Sequence, residues 1–400
     1  MTRFHHPAIR VASAVLFLVV SEAASMAQEP AASAKEQNDG QEEKAGSPVP
    51  FLPPWAKRRL SGILPADGPP HGFMVAFGDI KRGSGFAPGA GYVHPWSGGG
   101  VVALKGAYSI NNYKMVQMAA QSAPLARRQL ILRGRARWQD APSVRLYALG
   151  SDSPDVRTGY AETKTEVSGE AAWTPIRFLR FLGGVGLEQF DTGLAHGAAP
   201  AGALLFASMP GAGVDPRYLH GQASAAFDSR DNPGYSRHGS LFSATLHDFH
   251  QTTGGPYSFQ RADIVGEQYI SIVPNRSAVF LSVHVATTMV GSDRVVPFFL
   301  LPDLGGRDLR GFSDYRFRDR HAINWTAEYR WFALQFLDAA IFYDAGKTAA
   351  TRSSIDFTGL ASSVGVGVRL HSTKSTFVRL ELARSREGLR FIIAFSPVGQ

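Results

Sequence analysis

Leu304-Gly305-Gly306-Arg307-Asp308-Leu309-Arg310-Gly311-Phe312-Ser313-Asp314-Tyr315 is the stretch on which the fold turns. An arginine beside a glycine, set between two apolar residues, ends one run of strand-like pattern and precedes another, which points to a long loop held in a special place. Successive side chains of a strand point to opposite faces, so the segments that follow can be sorted. In 323–331, Ile323, Trp325, Ala327, Tyr329 and Trp331 share one face, and Asn324, Thr326, Glu328 and Arg330 the other. In 339–346, Ile341, Tyr343 and Ala345 oppose Phe342, Asp344 and Gly346. If both polar faces line the inside of one closed barrel, Glu328 and Asp344 await a cation there. The bidentate guanidinium of Arg310 suits them.

Composition agrees with a chain that crosses a bilayer in strands. Four hundred residues at 44% apolar content are enough for a large soluble core, but the chain also holds 42 Gly and 12 Tyr and is built of short alternating runs. It contains no apolar run of the ~18 residues that a spanning helix needs. A closed sheet is the remaining way to satisfy every backbone group in lipid. The net charge of +8 is spread along the strands, as lumen and rim charge rather than the one-sided basic cluster of a nucleic-acid binder. Zero cysteine excludes a disulfide framework and thiolate metal sites.

Arg3, His5, His6 and Arg10 precede the apolar run 11–20, and Ser25-Met26-Ala27 offers small residues to a signal peptidase, so residues 1–27 are expected to be a secretory signal peptide. Residues 28–71 begin polar and acidic, with Glu29, Glu36, Asp39, Glu42 and Glu43, and continue through Pro50, Pro53, Pro54 and Lys57-Arg58-Arg59. Such a segment is expected to stay disordered on the periplasmic side. From residue 72 onward sixteen strands are expected. Eleven precede the loop: 73–79, 88–95, 100–109, 112–119, 127–138, 159–173, 180–190, 219–228, 239–249, 258–272 and 276–290. Five follow it: 323–331, 338–345, 362–370, 376–384 and 389–396. The fold class is thus all-β, a transmembrane antiparallel barrel with a long loop folded into its lumen.

Several strands show which face is wet. Arg133, Arg135 and Arg137 alternate with Leu132, Ala136 and Trp138. Glu162, Lys164, Glu166 and Glu170 oppose Val167, Ala171 and Trp173, while Arg379 and Glu381 oppose Val378, Leu380 and Leu382. A soluble sandwich would have to bury these charges, whereas a lumen hydrates or pairs them. Trp96, Trp138, Trp173 and Trp331 fall near expected strand ends, which fits an interfacial girdle or ordinary packing.

Leu309-Arg310-Gly311-Phe312, Glu328 and Phe342-Tyr343-Asp344-Ala345-Gly346, in that order, resemble the Omp85 superfamily of outer-membrane assembly and two-partner secretion barrels (BamA, TamA and FhaC type, also called bacterial surface antigen domains). The first matches the family's (V/L)RG(F/Y) motif on its sixth extracellular loop, the last its (F/G)xDxG motif, and Glu328 a strand glutamate between them. The resemblance implies that the loop enters the lumen and that Arg310 pairs with Glu328 and Asp344, with Gly311 permitting a tight backbone. Asp228-Ser229-Arg230-Asp231-Asn232-Pro233-Gly234, a turn by composition, resembles the family's mid-barrel periplasmic turn. In the family the first and last strands pair weakly and form a lateral seam. The last strand here carries Phe391, Ile393 and Phe395 on one face, and Pro88 and Pro397 would limit pairing near such a seam. Residues 28–71 leave no room for a POTRA domain, the family's periplasmic substrate-collecting module.

No Gly-x-Ser-x-Gly elbow, Walker loop or His-Glu-x-x-His helix occurs, and His247 and His250, three apart on a strand, fall on opposite faces. Neither catalysis nor a cofactor or metal is expected. The resemblance implies a Gram-negative outer-membrane location, outer-membrane lipids as surroundings, unfolded outer-membrane or secreted proteins as substrates, and a separate POTRA-containing or periplasmic partner. A passive channel or surface antigen is the alternative.

Overall fold

The computed structural model describes residues 71–78, 80–96, 98–371 and 376–395. The expected signal peptide, all but the last residue of the expected polar segment, and Pro397 lie outside them. Alternating sequence resolves into strands β1 (Gly72–Gly78), β2 (Ala87–Trp96), β3 (Gly100–Tyr108), β4 (Lys114–Gln121), β5 (Leu130–Leu146), β6 (Thr158–Ile176), β7 (Leu179–Leu194), β8 (Arg217–Asp228), β9 (Gly239–Gln251), β10 (Phe259–Val273) and β11 (Ser277–Met289). Two short strands, β12 (Asp303–Leu304) and β13 (Phe317–Arg318), lie within the next connection. Then come β14 (His321–Leu334), β15 (Leu337–Ala349), β16 (Ala361–His371), β17 (Thr376–Ser385) and β18 (Gly388–Phe395). All sixteen expected strands are present.

They form one antiparallel sheet in chain order, β1 to β11 and then β14 to β18. Its two edges curl round until β1 and β18 approach within 8 Å at Cα. Among the described residues these two strands share no ladder. One end of the barrel carries short connections such as 177–178, 274–276 and 335–336, and the other carries long ones, including 195–216 and 290–320. The first pattern is that of periplasmic turns and the second that of extracellular loops.

The two faces are inverted relative to a soluble protein. Inward residues pair across the lumen wall: Arg133 with Glu170 at 3.1 Å, Arg135 with Glu166 at 3.8 Å and Lys164 with Glu188 at 3.0 Å. Leu132, Trp138, Val167, Leu187, Ile264 and Ile341 face outward and exposed, an apolar surface far larger than a water-soluble monomer presents. No helix of the described residues is long and apolar enough to cross a membrane.

Three details depart from the sequence reading. β5 runs on past Trp138 to Leu146, interrupted by an irregularity between Ala141 and Val144 that accommodates Pro142. A proline cannot donate to the ladder, so the pattern reads as a stop where the strand only bulges. Trp138 is therefore mid-strand, whereas Trp96, Trp173 and Trp331 do stand near the short-turn ends of β2, β6 and β14. Pro88 lies in β2, paired with Phe77 of β1, one strand inside the sheet edge rather than on it. A helix, α1 (Pro200–Ala207), occupies the connection from β7 to β8 and begins with a proline in its first turn, where the missing N–H costs nothing.

The turn 229–238 is closed by its own side chains. Asp231 Oδ1 accepts from the backbone N–H groups of Arg237 (3.0 Å) and His238 (3.3 Å), and Asn232 Oδ1 from that of Gly234 (3.1 Å). Tyr235 then reaches across to donate to Asp338 at 2.7 Å and stacks on His371 at 4.0 Å.

The lipid-facing assignment has a direct test. Ile264→Arg, outward near the middle of β10, should lower bilayer folding stability by about 2–4 kcal/mol, and Ser243→Arg, inward on β9, by clearly less. Urea titration of folding into lipid vesicles measures both.

Candidate functional site

The connection 290–320 is the sixth in chain order at its end of the barrel, and it folds inward. A single 3-10 turn at Phe298–Leu300 leads to a miniature hairpin in which Asp303 and Leu304 of β12 pair with Arg318 and Phe317 of β13. At the hairpin's start Gly305 has φ +123°, and a Cβ there would meet Ser313 O at 2.0 Å, so only glycine fits. Tyr315 takes φ +61° without being glycine. Such a conformation persists where its surroundings over-determine it: the Tyr315 ring is buried beneath the Arg82 guanidinium, 4.4 Å from its centroid. Leu304, Leu309, Phe312 and Phe317 then pack on Ala286, Ala322 and Ala361 of the barrel wall.

This hairpin delivers Arg310 into a nest of carboxylates. Its Nε donates to Asp344 Oδ2 and its Nη2 to Asp344 Oδ1, both at 2.8 Å, a side-on bidentate pair. Nη1 donates to Glu328 Oε2 at 2.9 Å and to Glu381 Oε1 at 3.1 Å. The backbone N–H of Arg310 adds a 3.2 Å bond to Asp344. Thr326 Oγ1 donates to the same carboxylate at 2.9 Å. Below the guanidinium lies the Phe342 ring, 3.3 Å from Arg310 Cζ to its centroid, a desolvated cation–π contact. Phe342 can lie there because Gly365 faces it: a Cβ at that position would meet the ring at 2.2 Å.

Three acids around one arginine would repel one another without further cations. Arg330 and Arg369 supply them, each donating to Glu328, with Nε of Arg330 and Nη2 of Arg369 both 2.6 Å from Oε1. Arg310, Glu328, Asp344 and Glu381 are each at most 5% exposed at the side chain. Burial alone would weaken the charge on Arg310, but Asp344, with Glu328 and Glu381, holds its pKa above the ordinary guanidinium value. It stays charged at every physiological pH.

Gly311 is needed for a reason other than backbone freedom, because its φ is not positive. A Cβ there would come within 2.4 Å of Ser363 Cβ and 2.8 Å of Ser385 Cβ. Its N–H donates to Ser363 Oγ (3.1 Å) and its carbonyl accepts from Ser385 Oγ (2.8 Å). The glycine lets the loop lie directly on β16 and β17.

The loop also grips both edges of the sheet. Toward the β1–β2 connection, Arg82 reaches Asp303 (2.6 Å) and Asp308 (3.1 Å). Toward the β17–β18 hairpin, Arg390 donates to the Phe312 carbonyl and lies 3.5 Å from Asp314, while Arg316 Nε donates to Glu387 at 2.7 Å.

Of the residues singled out in the sequence, the structure brings Leu309, Arg310, Gly311, Phe312, Glu328 and Asp344 together. Phe391 and Ile393 point outward and exposed on β18, and the side chain of Phe395 lies outside the described residues. Missed were Glu381, Arg330 and Arg369 as members of the cluster, Phe342 as its floor, and Arg82 and Arg390 as grips. Inward parity was the available signal for the first three.

Residues 213–384 match the Omp85 superfamily domain. No curated protein matches by sequence. Among solved structures the chain is similar to BamA from Haemophilus ducreyi lacking POTRA domains 1–3 (14% identity, 80% of this chain and 69% of that one, TM-score 0.61) and to CdiB from Escherichia coli (11%, 80% and 60%, TM-score 0.53). Proteins of this superfamily are non-enzymatic insertases and transporters of the outer membrane. Residues 213–384 are thus an Omp85 superfamily domain, set in a sixteen-stranded sheet whose fold is that of the BamA barrel.

Proposed function

We propose that this barrel takes part in inserting or translocating proteins at the Gram-negative outer membrane, working at the seam between β1 and β18. The observation that carries this reading is the sheet itself: sixteen strands whose two edges stand side by side without a shared ladder among the described residues. An unpaired edge presents a row of free N–H and C=O groups, and an incoming unfolded strand can add to it. Phe391, Ile393 and Phe395 belong to the strand at that edge, and the outward-facing Phe391 and Ile393 suit a substrate strand that will itself face lipid.

The lumen, by contrast, is a poor conduit. At its loop end Tyr160, Phe190, Phe206, Tyr218, Phe298 and Tyr315 pack into one buried cluster that joins α1 and loop six to the wall. Such a plug disfavours the alternative of a passive channel. Arg310, Gly311, Glu328 and Asp344 act in this reading as the lock that keeps loop six seated, and the loop's grips on both edges make the lock felt at the seam. The substrates are unfolded outer-membrane or secreted proteins, delivered by a separate periplasmic or POTRA-bearing partner, and the chain reaches the membrane through its N-terminal signal peptide.

The function is tested by the folding rate of an unfolded outer-membrane protein into liposomes containing this barrel. Wild type should accelerate folding and a β1–β18 cysteine crosslink should abolish the effect. Ion conductance without acceleration would instead favour the channel. Arg310→Ala leaves three buried carboxylates short of a cation and should cost about 3–5 kcal/mol, read as lost heat resistance in a gel-mobility assay. Gly311→Val should unseat the loop with the cluster's charges intact, giving a similar loss from steric conflict with Ser363 and Ser385.

A further inference from the structure

The connections at the short-turn end of the barrel are basic. Among the described residues they carry Arg127, Arg128, Arg177, Arg230, Arg237 and Arg276 against one acid, Asp231. Some of that charge is used within the fold. Arg230 pairs with Asp228 at 2.9 Å and Glu267 at 3.1 Å, and the Arg237 guanidinium lies 5.1 Å from the Tyr235 ring centroid and 4.6 Å from that of Phe332. Arg127, Arg128 and Arg177 are exposed and, among the described residues, meet no carboxylate.

These three arginines belong to two turns that are fastened together. The N–H of Thr174 donates to the Gln129 carbonyl at 2.7 Å, and the side-chain amide of Gln129 donates to the Pro175 carbonyl at 3.1 Å. The 122–129 turn therefore lies against the 177–178 turn. At its tip Ala126, Arg127 and Arg128 take φ of +46°, +59° and +68°, a left-handed run held by the bonds between Leu125 and Leu130 at 2.8 and 3.1 Å.

Next to these turns the outward face of the wall is aromatic. Trp173 stacks on Phe181 at 5.6 Å, Phe178 lies 6.1 Å from Phe227, and all four are exposed. Arg177 joins the two features, with its guanidinium 4.9 Å from the Phe178 ring centroid. Aromatic residues on the outer face near strand ends mark the headgroup level of a bilayer. The arginines thus stand where the lipid phosphates of the leaflet on the short-turn side begin.

We propose that the turns 122–129 and 177–178 bind the headgroup of an anionic phospholipid, with its acyl chains against the aromatic outer face of β6 to β8. A guanidinium meets phosphate oxygens through paired N–H donors. A zwitterionic headgroup would bring an ammonium group that the same arginines repel. An acidic soluble protein would satisfy the charges but would have no use for exposed Trp173, Phe178, Phe181 and Phe227 beside them. This part of the wall is several strands away from the β1–β18 edge, so the site does not depend on any activity at the seam.

The test is native mass spectrometry of the folded barrel titrated in detergent with dioleoylphosphatidylglycerol or dioleoylphosphatidylcholine. Wild type should retain phosphatidylglycerol at concentrations where phosphatidylcholine is lost. The triple variant Arg127→Gln/Arg128→Gln/Arg177→Gln, shown by heat-modified mobility to be folded, should weaken that retention about tenfold or more. Arg157→Gln/Arg276→Gln/Arg352→Gln removes the same charge from exposed positions elsewhere and should behave as wild type, which separates a local site from an effect of net charge. Equal retention of both lipids by wild type would overturn the proposal and leave the basic turns to an acidic periplasmic protein. Undiminished retention in the first variant, or equal weakening in the second, would overturn it as well.

Discussion

A buried arginine is tolerable only where its charge is met, and the architecture of this barrel follows from meeting the charge of Arg310. Four of its guanidinium N–H groups donate to acceptors from three separate strands: Asp344 on β15, Glu328 on β14 and Glu381 on β17. Breaking such a set by removing one member strands the rest in a dry site, which is far costlier than the net worth of the intact set. The cluster therefore gives register and specificity. Loop six has one seat in which every charge is paired, and a displaced loop would leave three acids facing one another.

From that seat the other contacts follow geometrically. Once Arg310 is in place, Gly311 lies on Ser363 and Ser385, Phe312 meets Phe317 edge-on at 5.1 Å, and the loop's flanks come within reach of Arg82 on one side and Arg390 on the other. The sheet's first and last hairpins are thereby held to a common internal element. Strand edges are normally covered or charged to prevent association. Here the edges stand side by side and, among the described residues, share no ladder, which in the proposed reading leaves them open to an incoming strand.

Much of this was legible in the sequence because strand parity is a strict rule. Glu328 and Asp344 could be placed on the lumen face by counting, as could Arg133 to Arg137 and the Glu162 to Glu170 series. Glu381, Arg330 and Arg369 were legible as inward residues but not as members of one cluster, since that depends on tilt and register across four strands. Gly311 was legible as special, though its reason, a wall of serine side chains, requires the fold. The grips by Arg82 and Arg390, the continuation of β5 through Pro142 and helix α1 left no local signal. Tertiary context decided each of them.

The central claim, that loop six is seated in the lumen as a structural element rather than resting there as a mobile loop, is tested most directly by amide hydrogen exchange in lipid nanodiscs. The N–H groups of Gly306, bonded to the Phe312 carbonyl, of Arg310, bonded to Asp344, and of Gly311, bonded to Ser363, are all inside the barrel. The account predicts that they exchange as slowly as amides in the β9–β10 ladder. Exchange as fast as in the open connection 252–258 would contradict it.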